Sequence, residues 1–233
     1  MYRTILLLLL IVSPLATGET IHIAVAANFK RTLAQISEQF EAQTGHQVTL
    51  SSASTGALYS QIIHGAPFHL FFAADKATPA KLVAAGYDKS GDESFCYASG
   101  SLVLAGGDGS LAQLANPQLS LAIANPATAP YGEAAMQVLA REEFYAGGTR
   151  KLVRGSNVIQ AYQFWHSGAV DLALLPRALL PSGATPVPLG WHQPLEQHVV
   201  ALSNSTAVDA YLNWIRSDNV RSLIINAGYE PCP

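Results

Sequence analysis

The sequence predicts an α/β protein of two lobes joined by a hinge, with a ligand cleft between the lobes. Three observations carry this. Short apolar strands alternate with segments of helical periodicity, the pattern of a mostly parallel sheet. Four of the strand-to-helix turns are built from small or polar residues. The chain leaves its first set of strands near residue 97 and returns near residue 200, which places residues 19–97 and 200–233 in one lobe and 98–199 in the other. Clefts between lobes are where small ligands usually bind.

The first turn sets the pattern. Ile21-His22-Ile23-Ala24-Val25 reads as a strand and gives way to Ala26-Ala27-Asn28; apolar residues at Phe29, Leu33, Ile36 and Phe40 then mark one buried helix face, stopped by Gly45. Ala27 and Asn28 therefore stand where the helix begins. The first N–H groups of a helix have no partner inside it and carry partial positive charge, so such a turn can cradle an anion. The pattern recurs at Val48-Thr49-Leu50, where Ser51-Ser52-Ala53-Ser54-Thr55-Gly56 leads into a helix with Leu58, Ile62 and Ile63. Gly65-Ala66-Pro67 breaks that helix, Leu70-Phe71-Phe72 is a buried strand, and Asp75 is expected to cap the helix that runs to Ala85 and stops at Gly86.

A polar loop over residues 88–93 precedes Phe95 to Ala105, read as one long strand crossing into the second lobe. Gly106-Gly107-Asp108-Gly109-Ser110 lacks the Lys-Ser/Thr of a phosphate loop and is a turn. Strand Leu119–Ala124 leads to Asn125-Pro126-Ala127-Thr128-Ala129-Pro130-Tyr131-Gly132, which opens a third helix; Gly155-Ser156-Asn157-Val158 opens a fourth, carrying Tyr162 and Trp165. Strand Val170–Leu175 ends at Pro176. A strand over Glu196–Leu202 leads back, and two helices, around Tyr211–Ile215 and Val220–Ala227, close the chain.

Composition narrows the function. Residues 1–18 hold one basic residue, Arg3, an apolar run from Ile5 to Val12 and a small-residue exit ending at Gly18. That is a cleavable secretory signal peptide, and its apolar run is too short to span a bilayer. The remainder is a soluble exported chain of about 215 residues, expected to be a monomer. With 49% hydrophobic and 12% charged residues it is not disordered, and a net charge of −3 argues against nucleic acid as a partner. Ser52 and Ser54 lack a GxSxG elbow, and the seven histidines, His64 and His69 included, fit no metal spacing, so neither an enzyme nor a cofactor is expected. Cys96 and Cys232 match no metal or redox motif; in an oxidising compartment they form either a disulfide or two separate buried thiols. A disulfide would tie the C-terminal tail near the hinge.

Ala26-Ala27-Asn28-Phe29, the turn at 51–56, Gly65-Ala66-Pro67 with Phe71-Phe72-Ala73-Ala74-Asp75, the Asn125–Gly132 turn and Ser156-Asn157-Val158 follow one another in an order that resembles periplasmic molybdate-binding proteins, the solute-binding components of molybdate ABC transporters. The resemblance covers residues 20–230. It implies a type II periplasmic binding-protein fold that closes on molybdate or tungstate through neutral donors at helix N-termini and then docks on an inner-membrane permease. Carried onto this chain, the donors would be the N–H of Ala27, the N–H and side chain of Asn28, the N–H and hydroxyl of Thr55, the N–H and hydroxyl of Tyr131, and the N–H of Val158. Molybdenum would be bound only as its oxyanion. Two positions depart from the family: Asn28 replaces a common serine, and Pro176 stands where some relatives have a tyrosine donor. Lys30 and Arg154 lie near the turns, but a neutral donor set needs no basic ligand. The alternative is a binding protein or sensor for another tetrahedral oxyanion such as sulfate.

Overall fold

The computed structural model describes residues 18–89, 91, 93–180 and 182–233. The signal peptide expected over residues 1–18 lies outside them but for Gly18. In chain order, β1 (Thr20–Ala26), α1 (Lys30–Thr44), β2 (Gln47–Ala53), α2 (Thr55–Ile63), β3 (Leu70–Phe72) and α3 (Ala77–Ala84) alternate, and β4 (Phe95–Gly100) follows. Then come β5 (Leu102–Gly106), β6 (Leu121–Ala124), α4 (Pro130–Leu139), β7 (Leu152–Gly155), α5 (Val158–His166), β8 (Leu172–Pro176) and β9 (Thr185–Pro186). The return strand β10 (Leu195–Ala201) leads into α6 (Thr206–Ile215) and α7 (Asp218–Asn226).

These strands make two five-stranded sheets, β2-β1-β3-β10-β4 and β7-β6-β8-β5-β9. In the first, β1 runs parallel to β2 and β3, while β10 is antiparallel to β3 and β4. In the second, β6 is parallel to β7 and β8, and β5 is antiparallel to β8 and β9. Each sheet is covered on both faces, so its central strands are apolar rather than alternating, and β6 and β8 are buried at every residue, whereas the edge strand β2 alternates between exposed and half-buried positions over most of its length.

The stretch expected as a single strand over Phe95–Ala105 is two strands in different sheets, divided at Ser101. Both lobe boundaries move accordingly. Lobe one extends to Gly100 rather than residue 97 and resumes at Leu195 rather than residue 200. The two crossings are antiparallel neighbours, β4 beside β10, and this pair is the hinge. Asp75 holds the first turn of α3 as expected: its carboxylate accepts from Thr78 N at 2.6 Å and from Thr78 Oγ1 at 3.0 Å. Cys96 on β4 and Cys232 in the tail are joined by a disulfide.

The lobes are in contact. Gly56 N donates across the cleft to Thr128 O at 2.8 Å, and on the other side Arg31 Nη2 donates to Ala178 O at 2.8 Å. Ala26, Ala27 and Ala74 of lobe one belong to the same buried apolar cluster as Ala129, Tyr131 and Val158 of lobe two.

Candidate functional site

The N-terminal ends of α1, α2, α4 and α5 converge where the lobes meet. They surround a cavity of about 10 Å³ lined by Asn28, Ser54 and Thr55 from lobe one and by Tyr131, Asn157 and Val158 from lobe two. All five sequence-predicted residues, Ala27, Asn28, Thr55, Tyr131 and Val158, are on its wall, each between 2 and 6% exposed. The space suffices for about one water. A tetrahedral oxyanion is larger, so it can be admitted only as the lobes part.

Local sequence explains why each turn presents a donor. Before α5, the Asn157 side chain accepts from Ile159 N and Gln160 N, at 2.9 and 3.2 Å, which leaves Val158 N–H as the uncapped first donor. At α4, Pro130 takes the first helical position and has no N–H, so the first N–H of that helix belongs to Tyr131. At α2, Thr55 Oγ1 accepts from Ala74 N at 3.0 Å, and its proton remains to be donated. Among the described residues, the N–H groups of Asn28, Thr55, Tyr131 and Val158 meet no acceptor. The lining carries no Lys, Arg, Asp or Glu. Four helix ends thus aim partial positive charge into a cavity without a formal charge.

Several expected roles are corrected by the geometry. Ala27 N–H is already spent, donating to Ala53 O at 2.9 Å, because the β1–β2 ladder runs one step past the end of the strands. The Asn28 amide also faces the protein: Nδ2 donates to Gln197 Oε1 at 2.7 Å and to Tyr229 Oη at 3.3 Å, leaving the backbone N–H as its donor toward the cavity. The Tyr131 hydroxyl is seated against the hinge, at the place a Cβ on Gly100 would take, where it accepts from Gln197 Nε2 at 3.1 Å and keeps its own proton. Pro176 pairs with Leu102 and does not line the cavity. Lys30 and Arg154 are exposed and lie off it.

Sequence reasoning missed four residues here. Ser54, the N-cap of α2, makes no side-chain capping bond, and it lines the cavity. Gln197, Tyr97 and Tyr229 form a buried polar shell behind Asn28. Burial pushes all three phenols of this shell and the cavity, Tyr97, Tyr131 and Tyr229, above the usual tyrosine range, so they stay neutral. Only the small-residue turn around Ser54 carried a sequence signal.

Two lobes on a two-strand hinge, closed over a cavity of helix-end donors, define a solute-binding protein. The family model described as "Bacterial extracellular solute-binding protein" matches residues 21–230. The chain is 36% identical to molybdate-binding protein ModA of Azotobacter vinelandii, over 92% of this chain and 91% of that protein. It is also 36% identical to molybdate-binding protein ModA of Rhodobacter capsulatus, over 93% and 90%. The solved periplasmic molybdate-binding protein of A. vinelandii superposes with a TM-score of 0.83 at 33% identity, covering 91% of this chain and all of that one. The chain belongs to the bacterial extracellular solute-binding proteins and, among them, to the molybdate-binding protein family. The sulfate-binding protein SubI of Mycobacterium tuberculosis, at 16% identity and a TM-score of 0.75, shares the fold alone.

Proposed function

We propose that this protein captures molybdate, and tungstate with it, in the periplasm and delivers it to the permease of an ABC transporter. The observation that carries the reading is the set of four unpartnered N–H groups, from four helices on two lobes, facing one uncharged cavity. The hydroxyls of Thr55 and Ser54 complete a set of about six neutral donors. Hydrogen bonds to a charged group are worth roughly 1.5–3 kcal/mol each. Six of them, less the cost of ordering and closing, support at least micromolar affinity without a basic side chain. A neutral set also suits transport, since cargo must be released. The relatives named for molybdate binding match this chain across both lobes, which favours molybdate over sulfate. Residues 1–18 would serve as the cleaved export signal.

Binding is a two-stage event in this scheme. The anion meets Asn28, Ser54 and Thr55 on the open lobe one, and lobe two then swings on β4 and β10 to add Tyr131 and Val158. Calorimetric titration of the signal-free protein with molybdate, tungstate, sulfate and phosphate tests this. Tight one-to-one binding of the first two is expected, with the others much weaker. The molybdate affinity should be flat between about pH 7 and 9, because Tyr131 is the only titratable side chain on the lining and burial holds its phenol above the usual range of about 10. Tight binding of sulfate in place of molybdate would overturn the assignment.

A further inference from the structure

We propose that Gln197 is a positioning residue that couples lobe closure to the anion site, one side-chain amide holding Asn28 of lobe one and Tyr131 of lobe two at once. The inference rests on the anion-capture reading above and deepens it. Gln197 is fully buried on β10, one of the two hinge strands. Its Oε1 accepts from Asn28 Nδ2 at 2.7 Å and lies 3.1 Å from Tyr97 Oη, whose one proton is shared between it and Ala73 O at 3.0 Å, and its Nε2 donates to Tyr131 Oη at 3.1 Å. Asn28 and Tyr131 each present a cavity-facing N–H, so one amide orients donor turns on both sides of the cleft.

Two further features fit this role rather than simple space filling. The register of β10 against β4 shifts between Gln197 and His198: Gln197 opposes Ala98 and His198 opposes Cys96, leaving Tyr97 unpaired in the ladder. Bulges of this kind re-aim side chains next to functional sites, and here the hydroxyl of the extra residue reaches the same Oε1. On the neighbouring strand, Gly100 leaves open the space that the Tyr131 hydroxyl occupies; a Cβ there would overlap Tyr131 Oη and stand 2.8 Å from Gln197 Nε2. The hinge is thus shaped to receive a phenol from lobe two.

The energetic consequence follows from satisfaction of buried polar groups. In the closed form both ends of the Gln197 amide have partners. When α4 swings away with lobe two, Nε2 loses its acceptor, whereas the Asn28 and Tyr97 bonds, which lie within lobe one, remain. Gln197 therefore stabilises the closed state specifically, and its effect falls on release of the anion rather than on its capture.

Gln197→Met, close in volume but without the amide, and Tyr131→Phe, which keeps the Tyr131 N–H, remove the same bond from opposite lobes. Stopped-flow and calorimetric measurements with molybdate should show each variant dissociating about three- to tenfold faster, with the association rate unchanged. The double variant should be no worse than Gln197→Met alone, because that change already removes the bond to Tyr131; Gln197→Met also takes the acceptor from Asn28 Nδ2 and is the more severe of the two single variants. Small-angle scattering of the anion-free proteins should show both variants more open than wild type. Unchanged dissociation rates, or additive effects in the double variant, would overturn the proposal even if wild type binds molybdate tightly. If wild type bound no molybdate, the functional reading would fall, while scattering would still report on the coupling. Should Gln197→Met not fold, Tyr131→Phe alone decides through its dissociation rate.

Discussion

At the scale of single residues, the site depends on which donors are left over once the protein has satisfied itself. Ala27 and Thr55 illustrate the two outcomes. Each stands in a strand-to-helix turn, Ala27 just after β1 and Thr55 at the start of α2, yet Ala27 N–H is consumed by Ala53 O, while Thr55 keeps both its N–H and its hydroxyl proton. Thr55→Ala is therefore expected to weaken molybdate binding by about 1–3 kcal/mol, since a hydrogen bond to a charged group is lost. A smaller loss of stability should accompany it, because Ala74 N then has no acceptor. Calorimetry alongside thermal unfolding separates the two, and an affinity equal to wild type would remove the hydroxyl from the site. That such turns offer spare donors was legible in the sequence, because unpartnered N–H groups belong to every helix start. Which N–H groups remain free was not, because it is settled by bonds such as Ala27 to Ala53 that join positions far apart in the chain.

At the scale of elements, the hinge was the feature read least well. Phe95 to Gly106 contains no proline or charged residue, and the one local mark of the change of sheets at Ser101 is Gly100 within a small-residue stretch, which does not by itself tell a bend within one sheet from a crossing to another. The periodicity of α1, α2, α4 and α5, by contrast, is carried by each helix's own residues; α2, α4 and α5 open within the turns the sequence places them in, and α1 opens at Lys30, two residues beyond Asn28. Gln197 was silent for the same reason as the break: a lone glutamine between Glu196 and His198 acquires meaning only from the bulge that turns it toward Asn28. Gly100 permits a direct test of the hinge. Gly100→Ala places a methyl group where the Tyr131 hydroxyl sits in the closed form, and crowding of this kind costs about 1–3 kcal/mol. Because Tyr131 moves away with lobe two, the larger part of the cost falls on the closed form, and molybdate affinity should drop about 5- to 150-fold; the 2.8 Å approach to Gln197 Nε2, present in both forms, should lower the unfolding temperature as well. If affinity held and only stability fell, Tyr131 would not need to seat against Gly100 for closure.

At the scale of the whole molecule, stability and closure are assigned to different parts of the chain. The disulfide between Cys96 and Cys232 spans 136 residues, and all of lobe two lies inside that loop. Yet both cysteines belong to lobe one, so the crosslink does not bridge the cleft and leaves the hinge free to move. Its main effect is on the unfolded chain, which loses the entropy of an open loop; for a crosslink of this kind the stabilisation is typically about 2–4 kcal/mol. The tail it anchors has further attachments. Ser99 and Glu230 exchange two backbone hydrogen bonds, of 2.9 and 2.8 Å, and Tyr229 is 2% exposed, packed edge-on against Phe29 with its hydroxyl donating to Asn28 O at 2.8 Å. Those contacts keep Tyr229 beneath Asn28 when the sulfurs are separated. The double variant Cys96→Ser/Cys232→Ser should accordingly unfold with about 2–4 kcal/mol less stability in urea, while its molybdate affinity stays within about threefold of wild type, a difference of less than 1 kcal/mol. A tenfold or greater loss of affinity at unchanged stability would reverse that division of labour, making the disulfide a support of the anion site rather than a restraint on the unfolded chain.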